Sequence, residues 1–148
     1  MRRALMSIAA WLAVATAVAA CGSDSTGVNQ SLVGFYAATQ FTTTGASGQT
    51  NQLLAGSYVH INLNEDGTTA GQLHLAASGS NPAFDADMAG TWKQKGMTVE
   101  ISQNADTFVK DMTFTMVANG PEMWDLVGDS VFSGTRIQIT LSQLIPVD

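Results

Sequence analysis

A single cysteine, Cys21, is present in the 148 residues, which excludes an intramolecular disulfide and any cysteine-rich metal cluster. Basic residues are also scarce, six Lys and Arg against twelve Asp and Glu for a net charge of −6. Beyond residue 20 the cations are Lys93, Lys95, Lys110 and Arg136. They are scattered, which argues against nucleic acid as a partner because phosphate binding needs clustered cations. Charged residues make up 12% of the chain, so the exterior must lean on Thr, Ser, Asn, Gln and Gly. No Gly-x-Ser-x-Gly elbow, phosphate loop or His-Glu-x-x-His is present. His60 and His74 share one hairpin with no evident nucleophile in reach. The sequence points away from an enzyme and implies no cofactor.

One long apolar run exists, from Ala4 to Ala20, broken by Ser7 and Thr16 and preceded by Arg2 and Arg3. That is the layout of an export signal, and it falls short of the about 20 apolar residues of a spanning helix. Val18-Ala19-Ala20-Cys21 at its end resembles a bacterial lipobox. The resemblance implies cleavage before Cys21 and acylation of its sulfur and new amino terminus, a membrane anchor held by more than one chain. An ordinary signal cut at Ala-x-Ala is the alternative. With residues 1–20 removed, 128 remain, carrying four basic residues against twelve acidic ones, a net charge of −8. By the same resemblance the protein is exported and anchored to the cell envelope. Gly22 stands where some Gram-negative lipoproteins carry a retaining aspartate, which implies the outer membrane in such a cell.

Residues 21–31 are small and polar and read as a tether. One domain follows, residues 32–148. Its pattern has a period of two, with turn residues at regular intervals and no amphipathic helix. The expected strands are Leu32 to Thr43, Tyr58 to Asn64, Thr68 to Ala76, Phe84 to Lys93, Met97 to Ser102, Phe108 to Val117, Met123 to Val131 and Arg136 to Leu144. Asn64-Glu65-Asp66-Gly67 suits a type I turn with a G1 bulge at Gly67. Such a loop sets Ile61 opposite Gly71, Val59 opposite Leu73 and His60 opposite Gln72, so that the apolar faces of the two strands coincide. Eight antiparallel strands joined mostly by short hairpins predict an all-β, up-and-down barrel. Asp85, Asp87, Glu100 and Asp111 on outward faces argue against a lipid-facing wall.

Leu32-Val33-Gly34-Phe35-Tyr36 resembles the Gly-x-Trp signature of lipocalins, with Tyr36 in place of tryptophan, and Gly90-Thr91-Trp92 is a second match. The order of Ile61-Asn62-Leu63-Asn64-Glu65-Asp66-Gly67-Thr68 before it is similar to lipocalin-like domains of bacterial lipoproteins. The resemblance spans Leu32 to Leu144. It implies that Gly34 and Tyr36 help close the barrel and that Arg136 packs over the signature tryptophan.

An eight-stranded barrel is either filled by side chains or holds one small ligand. The ligand-binding reading takes Trp92, Trp124, Phe114, Met112 and Met88 as lining residues of an internal site for a small apolar or amphipathic molecule. In that reading Lys110 meets a carboxylate, and Leu53 and Leu54, in the long loop Thr44 to Ser57, gate the mouth. The alternatives are that the methionines and aromatics are core, that Lys110 sits at the rim, and that Leu53 and Leu54 seal the barrel end. A solidly packed barrel implies a structural or protein-interaction role, with contacts around Tyr58 and His60 or along Met123, Val127 and Val131. Zinc at His60, His74 and a neighbouring Asp85 or Asp87 is set against solvated surface.

Overall fold

The computed structural model describes residues 30–145, so the signal segment, Cys21 and most of the tether lie outside the described residues. A 3-10 turn, Gln30–Leu32, leads into β1 (Gly34–Gly45), β2 (Gly48–Asn51), β3 (Tyr58–Leu63), β4 (Thr68–Leu75) and β5 (Phe84–Asp87). β6 (Gly90–Lys95), β7 (Thr98–Gln103), β8 (Met112–Ala118), β9 (Trp124–Phe132) and β10 (Thr135–Leu144) complete the set. The sheet order is β10-β9-β8-β7-β6-β4-β3-β1, and β1 pairs back onto β10. This is a closed eight-stranded antiparallel barrel in which each strand neighbours the next, and closure leaves the main wall without an edge.

The β3–β4 hairpin forms in the register that its turn chemistry encodes. Ile61 faces Gly71, Val59 faces Leu73 and His60 faces Gln72. Gly67, at φ +78°, donates its N–H to the Asn64 carbonyl, and Asn64 N–H reaches the Thr68 carbonyl, both at 3.0 Å. The Asp66 carboxylate accepts from Thr68 N–H at 2.9 Å and fixes the turn further.

Four expectations are corrected. β1 runs on to Gly45, and the segment expected as a loop contains β2, which folds back on β1 with Gly45 opposite Gly48. All four β2 residues are exposed, so no hydrophobic alternation marks them. The expected strand Phe84 to Lys93 is split at Met88-Ala89 into β5 and β6. Its register against β4 is continuous, with Leu73 opposite Ala86 and Thr69 opposite Gly90. Two glycines permit the close approach at this bend: a Cβ on Gly71 would lie 2.2 Å from the His60 carbonyl oxygen, and one on Gly90 2.1 Å from that of Ser102.

Met97, expected on the core face, is 58% exposed, because Gly96 takes φ +58° and the pair forms a two-residue turn between Lys95 and Thr98. β8 begins at Met112, not Phe108. Residues 107–110 form a turn in which Lys110 N–H donates to the Thr107 carbonyl, and Asp111 adopts φ +56°.

Alternation elsewhere sorts core from surface as expected. Tyr36, Phe41, Ile61, Leu73, Val99, Phe114, Leu126, Ile139 and Leu141 are buried. The charged residues Asp85, Asp87 and Asp111 are exposed on the outside of the wall.

Candidate functional site

The strand directions give the barrel two unlike ends. The β3–β4, β6–β7 and β8–β9 turns lie at one end together with Leu32, where the chain enters. At the other lie the β1–β2 hairpin and the loops before β3, β5, β8 and β10.

The first end is sealed by hydrogen bonds. The Tyr36 hydroxyl donates to the Leu32 carbonyl at 2.9 Å, and burial pushes its phenol pKa well above the ordinary tyrosine value. Trp92 Nε1–H donates to the Asn64 carbonyl at 2.9 Å, and Trp124 Nε1–H to Ser31 Oγ at 3.1 Å. Gln143 completes the seal: its amide donates to the Ser31 and Val33 carbonyls at 3.1 and 3.2 Å and accepts from Trp124 N–H at 3.1 Å. Gly34 lies against it, with room for a Cβ only 3.2 Å from Gln143 Nε2. Arg136 is not part of this closure. It lies opposite Thr44 at the other end of β10 and is bonded outside to Asp129 through Nε at 3.0 Å and through Nη2. The amide of Gln143 takes the closing role expected of Arg136.

The middle of the barrel is filled. Met88, Met112, Phe114 and Trp92 are each at most 5% exposed, and Trp124 packs against the same cluster. A Cβ built on Gly128 would lie 2.3 Å from Met112 Cε and 2.9 Å from Phe114 Cε1. These five residues, expected as the lining of an internal site, form packed core.

A cavity of about 510 Å³ opens instead at the second end. Its floor is the Phe41–Phe108 pair, with ring centroids 5.3 Å apart, beside Leu73 and Ile137. Its walls are Leu75, Pro82, Phe84 and Phe132, and Phe84 and Phe132 remain 46% and 41% exposed. Around the rim stand Thr43, Gln52, Ser78, Asn81, Thr107, Ser133 and Thr135, with Asp106 as the one charged residue. The size falls in the range of about 300–1,000 Å³ usual for small-molecule sites, and an apolar floor and walls below polar groups match the mostly apolar lining usual there.

The loop expected to gate this mouth is pinned. Gln52 N–H bonds the Phe41 carbonyl at 2.8 Å and Ser57 N–H the Gln52 carbonyl at 2.9 Å. The Gln52 side chain donates to Thr43 Oγ1 and accepts from Ser57 Oγ, and Ala76 N–H donates to Ser57 Oγ. Leu53 packs on the core, whereas Leu54 is 87% exposed, so the pair is divided between plug and surface. Lys110 projects to solvent and faces Asp106 at 3.5 Å; it does not line the cavity.

The other cations are paired as well. Lys95 and Lys93 flank Glu100 at 2.7 and 3.1 Å and hold its carboxyl below the usual range, as Arg136 does for Asp129. A depression of about 370 Å³ on the outer face of β6–β8 contains the Lys93 and Glu100 side chains and is solvated polar surface.

Outside β3 and β4 the Tyr58 ring stacks on both His60 and His74, at 5.8 and 5.1 Å, and His74 Nδ1 meets Asp85 at 2.7 Å. Among the described residues no group of three or more His, Cys, Asp or Glu is arranged to hold a metal ion.

The geometry defines a closed eight-stranded up-and-down barrel, sealed at the chain's entry and open to an apolar basin at the far end. No family model, curated protein sequence or solved structure matches the chain.

Proposed function

We propose that this chain is a lipid-anchored lipoprotein of the cell envelope whose lipocalin-like barrel binds a small apolar or amphipathic molecule at its mouth. The observation that carries the binding reading is the mouth cavity. Phenylalanines line its floor and walls, and two of them stay partly exposed, so that covering the remainder would stabilise each by roughly half of the 1.5–3 kcal/mol of full burial. An occupant that covers them recovers part of that free energy. The lipobox-like Cys21 and the export signal before it support the anchor. Leu32 enters at the sealed end, so an anchor reached through the tether would leave the mouth on the side away from its attachment.

The alternative is a structural or protein-interaction lipoprotein, and the filled barrel interior favours it. Its contact surface would be the outer stack of Phe35, His60, Tyr58 and His74 or the exposed Val127 and Val131.

Native mass spectrometry of residues 22–148, purified gently from an envelope extract, separates the two. A reproducible extra mass that is lost on denaturation, and lost equally in a Phe84→Ser/Phe132→Ser variant that folds, supports the mouth site. A bare polypeptide mass that persists after incubation with small amphiphiles rejects it.

A further inference from the structure

We infer that the mouth cavity selects an uncharged single-chain amphiphile, with a hydroxyl, ester or amide head, over an anionic one such as a fatty acid carboxylate. The inference rests on the mouth being a binding site and adds the class of head group. The basin below the rim is apolar, so a chain enters it and its head stops among the rim residues. Rim chemistry therefore decides the head.

That chemistry is neutral and hydrogen-bonding. Thr43 Oγ1 accepts from Gln52 Nε2 at 2.7 Å, and Thr107 Oγ1, in a residue only 4% exposed, accepts from Val109 N–H at 3.3 Å. Each hydroxyl keeps its own proton to donate. Ser133, Thr135 and Asn81 add uncharged donors and acceptors. A hydroxyl or ester oxygen finds matching partners here.

A carboxylate finds no counter-ion. The one charged residue of the rim is itself an acid, Asp106. Every cation among the described residues already faces a carboxylate: Lys93 and Lys95 at Glu100, Lys110 at Asp106, and Arg136 at Asp129. Two of these, Lys110 and Arg136, lie at the mouth end of the barrel, and Asp106 and Asp129 hold them. An anionic head must either lose water without an opposing charge or stand off from the rim and pull its chain out of the basin. The net charge of −8 on the chain beyond residue 20 opposes it further.

The test uses the barrel as residues 22–148, since the β1–β10 pairing closes it around its own core. Dodecanol, 1-monolaurin and dodecanoate are titrated at pH 8, below their aggregation limits, by calorimetry and by amide chemical shifts. The neutral pair is expected to bind and to shift the amides around Phe84, Phe108 and Ser133, with dodecanoate at least about tenfold weaker, a difference of about 1.4 kcal/mol. In Asp106→Asn, which frees Lys110, dodecanoate should gain about three- to fivefold, the scale of an exposed ion pair. The gain should vanish in Asp106→Asn/Lys110→Gln. Dodecanoate binding at the mouth as tightly as dodecanol overturns the selectivity and leaves the binding site standing. Failure of all three to bind there overturns the site and the selectivity together.

Discussion

Gly128→Ala probes the claim that the barrel is solid below its mouth. Gly128 lies on β9 between Phe114 of β8 and Ile139 of β10. An added methyl would stand 2.3 Å from Met112 Cε and 2.9 and 3.0 Å from two carbons of the Phe114 ring. Met112 can shift its terminal methyl, but it is only 4% exposed, and Phe114 is fully buried. Overpacking of this kind costs about 1–3 kcal/mol. Against it stands the reduced entropy of the unfolded chain, worth about 0.4–1 kcal/mol for Gly→Ala where the backbone tolerates alanine. The difference is a loss of between about 0 and 2.6 kcal/mol, centred near 1.3. Urea unfolding should show a lower midpoint with an unchanged slope.

Met112→Ala, by opening the space, should itself cost about 2–5 kcal/mol. The double variant should then lose less than the sum of the two by about 1 kcal/mol, because the new methyl fills part of the vacancy. A stabilising Gly128→Ala would show slack inside the barrel. It would return the ligand site to Trp92, Phe114 and Met112, and refute the placement at the mouth.

Tyr36→Phe removes the donor to the buried Leu32 carbonyl and should cost about 1–3 kcal/mol by denaturant unfolding. Because burial raises the Tyr36 pKa above its ordinary value of 10.0, its contribution is complete below pH 10 and is lost as pH rises through the higher folded value. The gap between wild type and Tyr36→Phe should therefore narrow in strong alkali, and a constant gap would contradict the assignment. Asp66, Glu100 and Asp129 behave oppositely: hydrogen bonds from Thr68, from Lys95 and Lys93, and from Arg136 lower their pKa values. Their contribution is present above the ordinary 3.8 to 4.5 and is lost as pH falls through the lower folded values, so Asp129→Asn should flatten the acid side of the midpoint-versus-pH curve. In anchored protein on vesicles containing spin-labelled lipid, a fluorophore on Met97→Cys at the sealed end should be quenched more than one on Val131→Cys near the mouth. The reverse order would reject the proposed polarity.

The hairpins were legible because their instructions are local. Asn64 to Gly67 specifies a loop length, the loop length specifies a register, and the alternation of Val59, Ile61 and Leu63 against Leu73 independently demands the same one. Agreement between levels of this kind is what a folding sequence provides. The mouth was not legible for the corresponding reason. Phe41, Leu75, Phe84, Phe108, Phe132 and Ile137 belong to separate segments and meet only after β1 has closed on β10. Inward-facing Trp92 and Met112 show the same alternation as inward-facing Leu75 and Phe84. What separates core from cavity is height along the barrel axis, which the stagger of all eight strands sets jointly. Lys110 falls outside the expected strand because the chain turns at Asp111 with a positive φ that no glycine announces.

The inward-facing aromatic residues nevertheless carry the polarity of the barrel in their chemistry. At the sealed end stand Tyr36, Trp92 and Trp124, each with a polar tip that reaches a carbonyl or hydroxyl of the terminal segments and turns. At the mouth stand Phe41, Phe84, Phe108 and Phe132, which have no such tip. A ring with a hydrogen-bonding end suits a boundary where the chain itself must close against water, since the tip satisfies a backbone carbonyl that would otherwise be stranded. A bare phenyl ring offers no bond to close with and gains only by being covered. Phe41 and Phe108 cover each other, while Phe84 and Phe132 are left partly open above them. The end whose inward-facing rings carry no hydrogen-bonding tip is therefore the end at which the barrel can accept an apolar chain without breaking any bond of its own.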